Sequence, residues 1–381
     1  MFNVISQTEQ YHVIAPGRVN LLGEHVDYNG GPVLPAAIDL CVDIKAAPIE
    51  GQIQLHSASF KQSVTFTLDS IQEKKDLHGN ELPVWALYPA GVAWVLQNNG
   101  FDVRGLRADY SSDLPIGAGL SSSAAVETGF AILWQEMAGW QLDRMQLAQL
   151  CRQAEVEYVQ VNCGLMDQFA CLCGVQGHGL YFDTQRMNWE AVPLPQNTAL
   201  VIADSGIIRN LGNTAYNARR QTCQQALAEL QLYVPGLKSL GELTPQLFDQ
   251  TKDYLDEVQR KRVRHVVEEC ERVRRSVGLL KDGNVRDFGR LMVDSHVSLR
   301  DLYEVSTPEL DGLVHIAMDL PGCWGARLTG AGFGGCTINL VDNEQVEPFI
   351  SRLKGEYYHS FGRETAIYHC HAVSGAHLVM S

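Results

Sequence analysis

The sequence predicts an α+β protein in two domains, and three observations carry that expectation. At 381 residues the chain is long for a single core, since domains commonly run to about 100–200 residues. Its first third is dominated by short alternating or β-rich segments, whereas its centre keeps helical periodicity. From Glu309 onward the pattern is helix, strand, strand, helix, strand. That order suggests a ferredoxin-like α+β layer with helices on one face. The expected division is a mixed sheet-and-helix domain over residues 1–195 and a ferredoxin-like domain over residues 196–381.

The elements follow in order. Apolar alternation and β-branched residues predict strands at Tyr11–Ala15, Arg18–Leu22, Cys41–Ala46, Gln52–Leu55, Val64–Leu68 and Val103–Tyr110. A helix over Trp85–Gln97 is ended by Asn98-Asn-Gly100. Two more are expected at Ser121–Met137 and Arg144–Gln160, the second capped by Asp143. A strand at Leu180–Asp183 precedes the proline-containing stretch Val192-Pro-Leu-Pro195. The apolar run Ala199-Leu-Val-Ile-Ala203 reads as a buried strand opening the second domain. Val263, Val266, Val267, Cys270, Val273 and Val277 keep helical spacing, and the Lys and Arg between them read as solvated faces. The last elements are strands at Gly325–Leu328 and Cys336–Val341, a helix at Val346–Tyr357 and a strand at Thr365–Val373.

Composition narrows the function classes. A hydrophobic content of 45% with 19% charged residues is that of an ordinary globular protein. The net charge of −14 argues against nucleic acid or an anionic membrane as partner, because both need a positive field. No apolar run approaches the ~20 residues of a membrane span, and the first residues lack the basic-then-apolar pattern of an export signal. A cytoplasmic location is expected, with the ten scattered cysteines reduced and mostly buried. Cys171-Leu-Cys173 and His369-Cys-His371 have the spacing of a strand or tight turn and no matching second pair, so no structural zinc site is expected.

The chemistry concentrates in Ala15-Pro-Gly-Arg-Val-Asn-Leu-Leu-Gly-Glu-His-Val-Asp-Tyr28. Arg18 and Asn20 alternate with Val19 and Leu21, as in a strand sending polar heads to one side. Gly23 then allows a sharp turn that presents Glu24, His25 and Asp27 together. Two acidic acceptors and an imidazole suit sugar hydroxyls, and an arginine suits a transferred anion.

Leu114-Pro-Ile-Gly-Ala-Gly-Leu-Ser-Ser-Ser-Ala124 joins a strand to a helix through glycines. Its N–H groups and helix N-terminus suit a phosphate, and its serines offer hydroxyls to phosphate or magnesium. It lacks the Gly-Lys-Ser/Thr of a Walker loop and the Gly-x-Ser-x-Gly of a hydrolase elbow. Gly330-x-Gly332-x-x-Gly335 has dinucleotide spacing but leads into a strand, so a glycine-rich hairpin close to substrate or to the phosphate loop is expected instead. In Asn162-Cys-Gly-Leu-Met-Asp-Gln168, Asp167 follows a glycine turn, where it can meet a substrate hydroxyl or simply cap a helix.

Taken in this order, these segments resemble the GHMP small-molecule kinases and, within them, the branch that phosphorylates galactose. The resemblance also takes in Tyr216-Asn-Ala-Arg-Arg220, Lys261-Arg-Val-Arg-His265 and Ser295-His-Val-Ser-Leu-Arg-Asp301, and so spans nearly the whole chain. It implies a two-domain kinase fold and ATP-dependent phosphorylation of the C1 hydroxyl of D-galactose, with Mg2+ required. By it, the Glu24–His25–Val26–Asp27 segment, Gly164 and Tyr216 bind the sugar. Gly117, Ala118, Gly119, Leu120, Ser121, Ser122 and Ser123 hold the ATP phosphates, Ser123 and Glu155 serve magnesium, and Asp167 with Arg18 is catalytic. A monomer is expected. Two alternatives stay open: a 1-kinase for N-acetylgalactosamine or a galacturonate-like sugar, and a non-catalytic sugar and ATP sensor.

Overall fold

A computed structural model describes residues 10–115, 117–207 and 212–380. β1 (Tyr11–Asn20) pairs antiparallel with β3 (Pro35–Pro48) across the two-residue β2 (Pro32–Val33). The two strands expected at Tyr11–Ala15 and Arg18–Leu22 are one, because a bulge between Pro16 and Gly17 bends β1 without ending it. β4 (Gln52–Ser57), β5 (Gln62–Thr67) and β6 (Leu106–Ser112) extend this sheet, with β4 and β6 parallel and its other pairs antiparallel.

Four helices belong with this sheet: α1 (Val84–Asn98), α2 (Ser122–Ala138), α3 (Arg144–Gln153) and α4 (Met166–Cys173). α2 lies on β1 and β3, and Gly129 permits the approach, since a Cβ there would stand 2.6 Å from Ile44 Cδ1. Asp143 caps α3 in a reciprocal box with Gln146. The helix expected as far as Gln160 ends at Gln153, and the chain widens into a π-type turn over Ala154–Val159. Such turns frequently sit at functional sites. Cys171 and Cys173 lie in α4, so the strand or turn expected there is corrected. β7 (His178–Asp183) pairs with β2 and with β8 (Asn188–Pro193). β8 is an edge strand, which tolerates the missing N–H of Pro193.

β9 (Thr198–Asp204) opens the second part, followed by α5 (Gly212–Gln231), α6 (Pro245–Thr251), α7 (Glu257–Lys281), α8 (Val285–Ser298) and α9 (Pro308–Asp319). β10 (Cys323–Leu328), β11 (Cys336–Asp342), α10 (Val346–Phe361) and β12 (Ile367–Cys370) complete it. The order β10-β11-β9-β12, antiparallel throughout, is the ferredoxin-like arrangement. Helices on one face only is corrected. α9 and α10 cover Val201 and Val341, while Ile202 and Leu340 on the other face join the main core with Phe288 and Met292 of α8. β9 is apolar on both faces and so demands two covers. A last strand, β13 (His377–Leu378), crosses back to pair with β1.

The basic residues of α7 are not all solvated. Arg262 and Arg272 are buried, the first beside Glu304 (2.5 Å) and the second beside Glu269 (2.6 Å). None of the ten cysteines is in a disulfide, and most of them are buried.

Candidate active site

The site begins at the bulge of β1. A Cβ on Gly17 would stand 2.4 Å from Leu114 Cδ2 and 2.7 Å from Leu120 O, so only glycine lets the glycine loop lie this close. The neighbouring Arg18 N–H donates to Leu120 O at 3.1 Å, and its guanidinium Nη1 donates to Gly119 O at 2.6 Å. Arg18 Nε donates to Asp167 Oδ1 at 2.8 Å, with Nη2 at 2.7 Å from the same oxygen. Burial opposes the guanidinium charge, but Asp167 and Glu24 outweigh it and hold Arg18 above its ordinary pKa.

Asp167 lies in the first turn of α4, whose N-cap is Leu165, and the capping alternative therefore falls. The positive end of the helix favours its charge. Its second oxygen accepts from Ser121 Oγ at 2.6 Å. Ser121 is the N-cap residue of α2, held at φ 61°, and makes no side-chain cap there. Its left-handed backbone lets the hydroxyl face Asp167 rather than its own helix.

Across the cavity, the turn after β1 is prewired. Gly23 (φ 100°) is crowded by Val33 Cα and Pro32 O. Glu24 accepts from Asn20 Nδ2 (2.7 Å), Gly330 N (2.6 Å) and Thr329 Oγ1 (3.3 Å), and lies 3.3 Å from Arg327 Nη2. Burial raises its pKa while Arg327 and Arg18 oppose the rise. His25, also at positive φ (61°), has Nδ1 2.8 Å from Tyr28 Oη and Nε2 3.1 Å from Ala331 O. Asp27 occupies the space a side chain at residue 164 would need, a Cβ on Gly164 falling 1.6 Å from its Oδ2. Burial, then the nearby Asp167, push Asp27 up to about 6. The Tyr216 ring closes this side, 5.6 Å from His25 and 5.4 Å from Tyr28.

Arg18, Glu24, His25, Asp27, Gly164, Tyr216, Asp167, Glu155, Gly117, Gly119 and Ser121–Ser123 all line one cavity of about 340 Å³. Three expected residues do not. Val26 is fully buried and packs on Gly31, its carbonyl accepting from the N–H groups of Asn29 (3.0 Å) and Gly31 (2.8 Å) to shape the turn. Ala118 and Leu120 are buried as well, since a loop alternating glycine with apolar residues turns the latter inward.

Glu155, on the π-type turn, accepts from Gln168 Nε2 at 2.6 Å, and the same amide donates to Glu127 at 2.9 Å. Burial pushes Glu155 up to about 7, and burial with the neighbouring Glu155 pushes Glu127 well above the carboxylate range. Ser123 and Glu155 are hard oxygen donors on one wall, and a cation there would relieve the ionised carboxylate. The donor set therefore fits Mg2+. Among the described residues no cluster of three His, Cys, Asp or Glu is placed to hold a metal ion.

The glycine hairpin expected close to substrate or to the phosphate loop sends Gly330 and Ala331 to the wall of the same cavity. Other contributors were missed from sequence, Tyr28 on the cavity wall among them. Behind Glu24 stand fully buried Arg327, its ion-pair partner, and Glu269, which accepts from Gly23 N (2.8 Å), Ser295 Oγ (2.7 Å) and Arg272 Nε (2.6 Å). Arg272 and Arg327 overcome the burial penalty and hold Glu269 down at about 2. Nothing in the local pattern around Arg327, a strand residue between Ala326 and Leu328, signals this role.

Comparison with known proteins adds to the geometry. A galactokinase galactose-binding signature matches residues 2–48, a GHMP kinase N-terminal domain residues 88–175 and a GHMP kinase C-terminal domain residues 276–359. The galactokinase of Roseiflexus sp. is 41% identical over 372 residues, covering 97% of this chain and 93% of the relative. That of Fusobacterium nucleatum is 37% identical over 383 residues, covering 99% and 96%. The crystal structure of Lactococcus lactis galactokinase complexed with galactose superposes with a TM-score of 0.92 at 33% identity, covering 97% of this chain and 95% of that one.

Proposed function

The chain belongs to the galactokinases of the GHMP kinase family, and we propose that it transfers the γ-phosphoryl group of ATP to the C1 hydroxyl of D-galactose. The single observation that carries this reading is Asp167. Its carboxylate is held by Arg18 and Ser121 in the one cavity that both the Glu24–Asp27 turn and the glycine loop line. Similarity to galactokinases over nearly the whole chain favours galactose over N-acetylgalactosamine or galacturonate. The paired Arg18 and Asp167 disfavour a non-catalytic sensor.

Phosphoryl transfer passes through a loose transition state, so positioning and charge neutralisation carry most of the catalysis. In this reading Asp27 accepts from sugar hydroxyls, while Glu24 and His25, already committed to neighbours, fix the shape of the pocket. The N–H groups at Gly117–Ser123 face the phosphates. Arg18 neutralises charge on the moving group. Asp167 orients the C1 hydroxyl and accepts its proton. Ser123 and Glu155 would hold Mg2+, which supplies charge neutralisation of the phosphates when bound. The expected monomer and cytoplasmic location belong to the same proposal, and no helix among the described residues is long and apolar enough to cross a membrane.

A sugar panel tests the reading. D-Galactose is expected to exceed D-glucose by at least roughly a hundredfold in kcat/KM, because a wrong epimer leaves buried polar groups unpaired. Equal rates in a coupled ADP-release assay would remove galactose as the substrate.

A further inference from the structure

A second cavity, of about 460 Å³, shares Asp27, Tyr28 and Gly164 with the first. Its remaining wall includes Arg152, at the end of α3, and Arg220, on α5. Neither guanidinium has a carboxylate within ion-pair distance among the described residues. Arg152 uses only its Nε, to donate to Cys163 O at 3.3 Å. Arg220 Nη1 is buried with no hydrogen-bond partner. In a chain with 44 acidic against 30 basic residues, two half-buried arginines without a carboxylate partner among the described residues, both lining one cavity, suit an anionic occupant. A buried guanidinium nitrogen without an acceptor is destabilising, and a planar fork of donors matches phosphate oxygens. Thr184 and Gln149 on the same wall make it polar.

We propose that Arg152 and Arg220 form a binding site for a phosphate dianion, adjoining the sugar pocket through the shared Asp27 and Gly164. The site stands apart from the glycine loop, none of whose residues lines this cavity. Its occupant is either free phosphate or the phosphate of a phosphorylated sugar; the two share the chemistry that the arginines recognise. The consequence for the sugar rests on the proposed function. A dianion in this cavity places negative charge beside the carboxylate that accepts sugar hydroxyls, so anion and galactose weaken each other's binding. By reciprocity each raises the other's Kd by the same factor, expected at about threefold or more.

Calorimetry on the intact protein tests this, with a non-hydrolysable ATP analogue saturating the glycine loop. Inorganic phosphate is titrated first without sugar. Saturable binding is expected, weakened at least roughly tenfold in both Arg220→Gln and Arg152→Gln. Arg152→Gln changes a half-buried helix residue and serves if the Arg220 variant does not fold. Absent binding, or affinity unchanged in a folded variant, would overturn the site. Repeating the titration with galactose bound measures the coupling, and an unchanged phosphate Kd there overturns the coupling. Galactose 1-phosphate, titrated with galactose present, separates the two sources: tighter binding than inorganic phosphate assigns the site to a sugar phosphate, and weaker binding to free phosphate. Failure of galactose to bind at all would count against the proposed function, while the sugar-free titration judges the anion site alone.

Discussion

Gly23, which opens the Glu24–Asp27 turn, and Gly117, in the glycine loop, both sit at positive φ, 100° and 76°, yet their surroundings differ. A Cβ on Gly23 would stand 2.8 Å from Val33 Cα, whereas one on Gly117 would meet nothing within 4 Å. The sugar turn is enclosed. Glu24 and His25 have their hydrogen bonds made before any ligand arrives, and Glu269 reaches from α7 to hold Gly23 N. In the glycine loop Gly117 has open space beside it, while the loop is anchored to Arg18 at Leu120 O and Gly119 O. A pocket that must tell epimers apart gains from fixed partners, because a misplaced hydroxyl then finds none free. A loop that receives phosphate needs only free N–H groups and room. Asp167 and Arg18 stand where the two halves meet.

The largest expected effect breaks that junction. Asp167→Asn should lower kcat by roughly a thousandfold while leaving galactose affinity within a few-fold, since the amide still orients but cannot accept the proton. Steady-state rates and calorimetry on one preparation decide it, and near-normal turnover would reassign Asp167 to positioning. Gly164→Ala attacks the enclosed side alone. The new methyl displaces Asp27, so kcat/KM for galactose should drop by about a hundredfold with the KM for ATP little changed. Equal losses for both substrates would show that the two sides are not separable.

Asp27 carries a stability cost with a definite pH sign. Its folded pKa, about 6, lies above the ordinary value of 3.8, so the ionised form destabilises the fold at neutral pH and the protonated form does not. Asp27→Asn should therefore stabilise the protein at pH 7 by about 3 kcal/mol, with the gain fading as pH falls from 6 to 4, while galactose turnover is lost. Denaturant melts at several pH values measure it; a gain that persists at pH 4 would contradict the burial argument. The smallest effect concerns the open side. Glu155→Ala should raise the magnesium concentration for half-maximal activity roughly tenfold, with the KM for sugar almost unmoved. An unchanged magnesium titration would leave Glu155 as part of the buried pair with Glu127.

Legibility followed locality. Asp143 with Gln146 three residues on announces the start of α3, because a capping box is closed within one turn. The end of that helix was misjudged: nothing periodic distinguishes Gln153 from Gln160, and the chain widens into a π-type turn over Ala154–Val159. The glycines at 117 and 119 were legible because positive φ leaves a mark in residue type. Ala118 and Leu120 were grouped with them only by adjacency, and burial separates them.

Residue types and short-range spacing alone established that a polar turn follows a strand, that a glycine loop opens a helix, and that helix, strand, strand, helix, strand ends the chain. Those features depend on backbone geometry within a few residues, which composition reports directly. Tertiary structure alone decided that Asp167 lies against Arg18, 149 residues away, rather than capping its own helix. It also decided that Arg327 and Glu269 stand behind the Glu24–Asp27 turn, and that Arg152 and Arg220, 68 residues apart, line one cavity. Charge and burial act through distance in space, and the order of residues along a chain does not contain that distance.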